Sequence, residues 1–428
     1  MRAYVGFVNA SGIIAGRNPI RKRSLTMPEN NYRPTLPDGW RWVQLGEVCE
    51  FLDSRRIPVN DSERAKRIVG KQQSELFPYY GANGQVGWID DYIFDEPLIL
   101  LAEDGGNFGS VDRPIAYAVS GRYWVNNHAH VLKPREGLDF GYCLHALRIR
   151  PDVGDLVSGS TRAKLNQEIA ARIPIPLPSL QEQKRIAGIL NEQMEAVERA
   201  RAAAEAQLAA AKALPAAYLR AVFNSSDAQR WPKKPLGDVS QLKNGINFTS
   251  SQKGRGTLTV DVLNMYSEGV YVQMDGLYRV DVQPKDEYQL QAGDILFVRS
   301  SVKREGVAWP AVFGGYAEPV TFCGFLIRAR LTTPVIQAPF MIHYLRLPEI
   351  RESLVSKSGT GTITNIGQED LKALPIPLPP LPDQQRIAAM LNEQMASVGR
   401  TRSAIEEELD AINKLPAALL RRAFNGEL

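Results

Sequence analysis

Residues 173–224 read IPIPLPSLQEQKRIAGILNEQMEAVERARAAAEAQLAAAKALPAAYLRAVFN, and residues 374–425 read LPIPLPPLPDQQRIAAMLNEQMASVGRTRSAIEEELDAINKLPAALLRRAFN. They align without a gap at an offset of 201, with about 30 of 52 positions identical, so the chain contains a duplication. Each copy opens on a proline-punctuated run, Pro174–Pro178 or Pro375–Pro379, that cannot be helix interior. Beyond it, Gly188 is the one Gly or Pro between Gln181 and Leu214, and Gly399 the one between Asp383 and Leu415. Leu190, Met194, Val197, Ala204, Leu208 and Ala211 follow a 4-3 spacing, as do Leu391, Met395, Val398, Ile405, Leu409 and Ile412. That is a heptad seam, so two helical rods of roughly 50 Å are expected, paired antiparallel. The helix-pairing positions proposed are Leu190, Met194, Val197, Leu208, Leu391, Met395, Val398, Ile405 and Leu409. Pro215 and Pro416 are expected to end or kink each rod. Arg201 and Arg402 interrupt the seam at equivalent places.

The duplicated unit extends beyond the helices. Trp42 and Leu45-Gly46-Glu47-Val48 open a first block, and Trp231 and Leu236-Gly237-Asp238-Val239 open a second. Ser158-Gly159-Ser160 and Ser358-Gly359-Thr360 close them, followed by Gln167-Glu168 and Gln368-Glu369. Between these marks the blocks differ almost completely. Tyr92–Leu101, Ile115–Val119, Ala129–Leu132, Gly293–Val298 and Phe325–Leu331 read as strands, while Phe140–Arg150 and Pro339–Leu347 read as short helices. The expected class is α+β: two globular domains separated by two long antiparallel coiled-coil helices, with a pseudo-twofold internal duplication. The boundaries expected are a disordered N-terminal tail 1–30, a first domain 31–172, a central helical region 173–230, a second domain 231–373 and a distal helical region 374–428. Met27 is a plausible start in place of Met1.

The formal charge of +4 does not argue for nucleic acid. Arg2, Arg17, Arg21, Lys22 and Arg23 supply +5 before Thr26 with no acid, leaving −1 for the remainder, so a DNA-facing surface would have to be a local patch. Cys49, Cys143 and Cys323 show neither metal nor disulfide spacing, which suits a reducing cytoplasm. No segment is long and apolar enough for a membrane span, and no membrane partner is expected.

The arrangement resembles the specificity subunit of type I restriction–modification enzymes. The residues that carry the resemblance are Leu36-Pro37-Asp38-Gly39-Trp40 with Trp42 and Leu45–Val48, and Ile175–Pro178 through Gln181–Ile186. Pro377–Pro379 through Gln384–Ile387 and the ending Arg422–Leu428 complete it, so that it covers roughly residues 30–428. Pro382-Asp383 departs from Gln181-Glu182 of the first copy. The resemblance implies two target-recognition domains that each read half of a bipartite, asymmetric double-stranded DNA site, with the paired helices as a ruler between them. It also implies two methyltransferase subunits, which bind S-adenosylmethionine, and restriction subunits as partners.

No enzyme chemistry is expected of the chain itself. Pro379-Pro380 lacks the surroundings of the base-holding loop of an adenine methyltransferase, and no phosphate-cradling motif is present. His128 and His130 sit two apart with no third ligand nearby, and Asp90, Asp91, Asp95, Glu103 and Asp104 read as acidic turns, so neither cofactor nor metal is expected. Base readout needs Arg, Lys, Asn or Gln on loops that reach base edges. In the first block Lys71, Gln72, Asn83, Asn107, Asn127, Arg162 and Lys164 are the DNA-binding candidates. In the second they are Asn244, Asn247, Arg299, Lys303, Arg304, Lys357, Thr360 and Asn365. The loops around 158–165 and 358–365 stand out because they recur in both halves. A recognition subunit of a type IIB-like system and a coiled-coil protein-binding scaffold remain alternatives at this point.

Overall fold

The computed structural model describes residues 36–158, 163–267, 269–358 and 364–428. The expected N-terminal tail and the candidates Arg162 and Thr360 lie outside the described residues. The chain divides into two compact units, one running through Ala187 and joined by Leu420–Leu428, the other spanning Gly188–Leu419.

In the first unit the continuous apolar run Leu98–Ala102 is buried on both faces and forms the middle of a four-stranded antiparallel sheet. The spatial order is Cys49–Phe51, Ala129–Pro134, Leu98–Ala102, Ala116–Val119. A second sheet pairs the hairpin Phe77–Gly81 and Gly84–Ile89, with Arg122–Val125 parallel to its first strand and Phe94–Asp95 at the far edge. The strand expected over Tyr92–Leu101 is therefore two strands in two sheets. They part at Glu96-Pro97, where Pro97 has no N–H to donate to a ladder.

The second unit repeats this topology in a sequence that differs at most positions of the block. Ile295–Val298 is the buried middle strand of the order Ser240–Asn244, Leu326–Leu331, Ile295–Val298, Pro310–Val312, again antiparallel throughout. Lys253–Val260 forms a hairpin with Tyr278–Val280 and runs parallel to Val320–Phe322, as Phe77–Gly81 does with its two neighbours. In each block the proline run pairs antiparallel with the strand that enters the block, Arg41–Gln44 with Pro174–Leu177 and Lys233–Pro235 with Pro375–Pro377. Such short two-stranded ladders have the free edges that prolines require. The two blocks thus share one fold although few of their residues are the same.

The shared segments form two helices of 44 residues, Leu180–Phe223 and Leu381–Phe424, each about 66 Å long at 1.5 Å per residue. Neither stops at its proline: the helices run unbroken through Pro215 and Pro416, which corrects the expected length. A proline removes one hydrogen bond from a helix. The turns beyond it are held from outside, by burial of Leu219 and Phe223 in one helix and Leu420 and Ala423 in the other.

Within the second unit the helices run antiparallel. Leu219 and Phe223, late in the central helix, share a core with Ile387, Ala388 and Leu391, early in the distal one. Val197, Ala204 and Ala211 cluster with Ile405 and Ile412, flanked by Leu208, Leu409 and Leu419. Ala204 and Ile405 are equivalent positions of the duplication, as are Ala211 and Ile412, so one copy has kept small residues where the other carries large ones. Small against large lets two such faces interdigitate closely. Val398, Leu190 and Met194 are buried. Leu391 and Met395 pack into the core of the second block, a core that also takes in Leu219 and Phe223 of the central helix.

His343, on the helix Ala338–Leu345, is buried with Nε2 2.9 Å from Asn392 Oδ1 of the distal helix. Burial pushes its pKa down to about 4, Arg346 adds to the effect, and the Asn392 bond opposes it. The neutral ring is therefore the native form. The stability it contributes is fully present above an unfolded value near 6.5 and is lost as pH falls through 4. Urea unfolding between pH 7 and pH 4 should show a loss of about 3 kcal/mol from this group. The His343→Gln variant, which keeps a donor for Asn392, should lack that part of the slope.

Candidate nucleic-acid interface

The loops that carry most of the first-block candidates converge. Asn83 Nδ2 donates to the Gly105 carbonyl (2.9 Å), and Asn107 Nδ2 donates to the Pro114 carbonyl (3.0 Å) with Asn83 Oδ1 at 3.5 Å. The turn at 126–128 joins them: Glu103 N–H donates to the His128 carbonyl (2.8 Å) and Asn126 N–H to the Tyr80 carbonyl (3.0 Å). The returning limb of the recurrent loop closes the set, with Leu165 N–H on the Glu103 carbonyl (2.7 Å) and Gly105 N–H on the Ala163 carbonyl (3.2 Å). Asn83, Asn127 and Lys164 are exposed there, and Asn107 is half-buried. Lys71 and Gln72 are not part of this group. Lys71 Nζ binds Asp90 (2.9 Å), which also holds Arg67, and the Gln72 N–H is capped by Glu75.

Beneath the loops lies an ion network that sequence reasoning missed. His130 Nδ1 is 2.6 Å from Asp53 Oδ2 and its Nε2 is 2.8 Å from the Leu165 carbonyl. Arg56 reaches Glu103 (2.7 Å), Asp53 (3.4 Å) and the Ala129 carbonyl (2.6 Å), while Lys164 binds the other oxygen of Glu103 at 3.1 Å. The reading that His130 has no further potential ligand nearby is therefore corrected: Asp53, Glu103 and His130 bring their ligand atoms within 4.8 Å of one another. The geometry does not suit a metal ion. Both ring nitrogens already face acceptors, and the Arg56 guanidinium occupies the cation's place between the carboxylates. The network does a different job: it holds the base of the 158–165 loop through Lys164 and the Leu165 carbonyl.

The second block builds the same corner from other residues. Ser300–Ser301 pairs with Thr364–Asn365, Ser300 Oγ bonds Asn365 Oδ1, and Ile366 N–H donates to the Arg299 carbonyl (2.9 Å) as Leu165 does to Glu103. Gln368 Nε2 donates to Asn244 Oδ1 (2.9 Å), and Asn247 is exposed beside Gly324. Arg299 is half-buried, with Nη1 3.4 Å from the Gly324 carbonyl. Lys303 and Arg304 stand on an exposed turn and Lys357 ends the helix Pro348–Lys357. Among the described residues none of these three has an ion-pair partner. The first corner thus carries compensated charge and the second free positive charge. Beside the second corner, an apolar groove of about 1370 Å³ runs along the helix pair, with Leu263, Tyr266, Val302 and Phe325 exposed on its wall.

A block built twice on one topology, with a recurrent loop corner and unlike surface residues, each followed by one copy of a repeated long helix, defines an internally duplicated protein. Residues 37–204 and 229–410 each match the family described as "Type I restriction modification DNA specificity domain". The StySPI specificity subunit of Salmonella potsdam is 24% identical over 430 residues, covering 92% of this chain and 90% of that protein. A protein of Haemophilus influenzae named as a type I restriction enzyme specificity subunit is 34% identical over 151 residues, 35% of this chain and 36% of its own. A solved chain from work on complex assembly and conformational transition of the type I R-M system superposes with a TM-score of 0.68 at 21% identity, over 92% of this chain and 100% of that one. The chain belongs to the type I restriction–modification DNA-specificity family and is a specificity subunit. Among the described residues no helix is long and apolar enough to cross a membrane.

The network gives a direct stability test. Arg56→Met leaves Asp53 and Glu103 buried without the cation between them and should cost about 3 kcal/mol in urea unfolding. Lys164→Met, at the exposed end of the same network, should change stability by less than about 1 kcal/mol.

Proposed function

We propose that each block reads one half of a bipartite, asymmetric double-stranded DNA site, and that the helical regions dock two methyltransferase subunits and, through them, restriction subunits. The observation that carries this reading is the repeated corner: in both blocks the chain leaving the buried middle strand meets the returning limb of the recurrent loop, through Leu165 N–H on the Glu103 carbonyl and Ile366 N–H on the Arg299 carbonyl, and unlike side chains stand around it. Asn83, Asn107, Asn127 and Lys164 stand in the first block, and Asn244, Asn247, Arg299, Asn365, Lys303 and Arg304 in the second. Amide and basic side chains are the ones that read base edges and meet phosphates. Because the two sets differ, the half-sites should differ. The uncompensated Lys303, Arg304 and Lys357 suit phosphate contacts, whereas the first corner relies on amides and backbone. The apolar groove suits a protein partner better than DNA, since exposed apolar side chains of this size are covered by protein in assemblies. In this reading the methyl group comes from S-adenosylmethionine held by the methyltransferase subunits, and this chain supplies position alone.

The test replaces residues 36–172 with the corresponding block of another family member and sequences methylated adenines made by the assembled complex in cells. One half-site should change while the other half-site and the spacer stay as they were. A change in both half-sites, or in neither, would contradict the reading.

A further inference from the structure

Divergent blocks must be mounted on a common helix in a constant way, and the structure shows how. Gln183 and Gln384 are equivalent residues of the duplication, each in the first turn of its long helix and each buried, with 1% and 0% of its surface exposed. Gln183 Oε1 accepts from the Asp139 N–H (2.8 Å), and its Nε2 donates to the carbonyls of Gly137 (3.1 Å) and Pro178 (3.0 Å). Gln384 Oε1 accepts from the Gln337 N–H (2.9 Å), and its Nε2 donates to the carbonyls of Val335 (2.8 Å) and Pro379 (2.8 Å). The two sets match bond for bond. Asp139 and Gln337 are the N-cap residues of the block helices Phe140–Arg148 and Ala338–Leu345, so each glutamine fills the start of a block helix. It also ties the loop before that helix to the end of the proline run.

Every partner of both glutamines is a backbone group. A contact with the main chain alone is indifferent to the side chains of the block, so it can survive complete divergence of the block's sequence. A three-point bond at a buried position also fixes direction as well as distance. A tyrosine in each block helix adds a second tie of the same kind, from Tyr142 Oη to the Pro176 carbonyl (2.6 Å) and from Tyr344 Oη to the Pro375 carbonyl (3.0 Å).

We propose that Gln183 and Gln384 are positioning residues that fix the angle of each recognition block on its helix, and that they thereby set the strictness of half-site spacing without touching half-site sequence. This rests on the bipartite reading above. The experiment uses the full chain assembled with its methyltransferase subunits in cells, with Gln384→Leu and Gln384→Glu as variants. Methylated adenines are mapped genome-wide. The leucine removes all three bonds; the glutamate keeps the accepted one, loses both donated ones and sets a buried carboxylate oxygen against the Val335 and Pro379 carbonyls.

Both variants should modify the same two half-sites as the unaltered chain, but with relaxed spacing. Sites with a spacer about one base pair longer or shorter should rise from background to roughly a tenth of the cognate level with either variant. Two results would overturn the proposal: methylation that falls equally at every site with the spacer still strict, the mark of a merely structural role, or a change in half-site sequence. If the unaltered complex itself modifies sites lacking two separated halves, it is the bipartite reading that fails, and this outcome is read from the control alone.

Discussion

The fold depends on one contact, the packing of a helix against its own duplicate. Ala204 and Ala211 lie in the same cluster as Ile405 and Ile412, residues that occupy their places in the other copy. A duplication begins with two identical faces, which knobs-into-holes packing can already accommodate. Small residues on one side against large ones on the other bring the helix axes closer and make the pair asymmetric. The seam is narrow, and much of the remaining surface of both helices is exposed and carries charged residues and alanine, so the pairing relies on this line of apolar contacts. Ion pairs such as Lys414–Asp410 and Arg199–Glu195 lie along single helices, are largely exposed and add little.

From that frame the rest follows by separation of tasks. The block cores are built from buried middle strands, Leu98–Ala102 and Ile295–Val298, which have no contact with solvent. The block mountings use backbone partners. The loop corners are anchored by whatever the local sequence offers: an ion network of Asp53, Arg56, Glu103, His130 and Lys164 in one block, and short strand pairing with Ser300 and Asn365 in the other. Because core, mounting and corner are held by different groups, the surface residues between them can change without loss of the fold. That freedom is what a specificity subunit requires.

How much of this was legible in the sequence varied with the range of the interaction. The duplication could be read directly, as could the helices, because periodicity and repetition are local. Pro215 and Pro416 misled, since a helix end held by Phe223 or Ala423 tolerates one missing amide. Tyr92–Leu101 read as one strand because its apolar run hides the break at Pro97. That the blocks repeat was legible from their matching ends, but the strand order they share was not, since between those ends it is encoded by burial pattern and not by residue identity. The ion network was invisible for another reason: its members lie from position 53 to position 164 and meet only after folding. Composition picked out Asn83, Asn107 and Lys164, but it could not separate them from Lys71, which the structure ties to Asp90 away from the corner.

In the bipartite reading proposed above, the paired helices set the distance between the two half-sites, and a matched insertion in both helices probes this. Seven residues placed after Ala204 in the central helix and seven after Ile405 in the distal one preserve the heptad seam and lengthen the pair by about 10 Å. At 3.4 Å per base pair, the methylated sites of the assembled complex should keep both half-sites and gain a spacer longer by about three base pairs. Full methylation at the original spacer would show that the helices do not measure the distance.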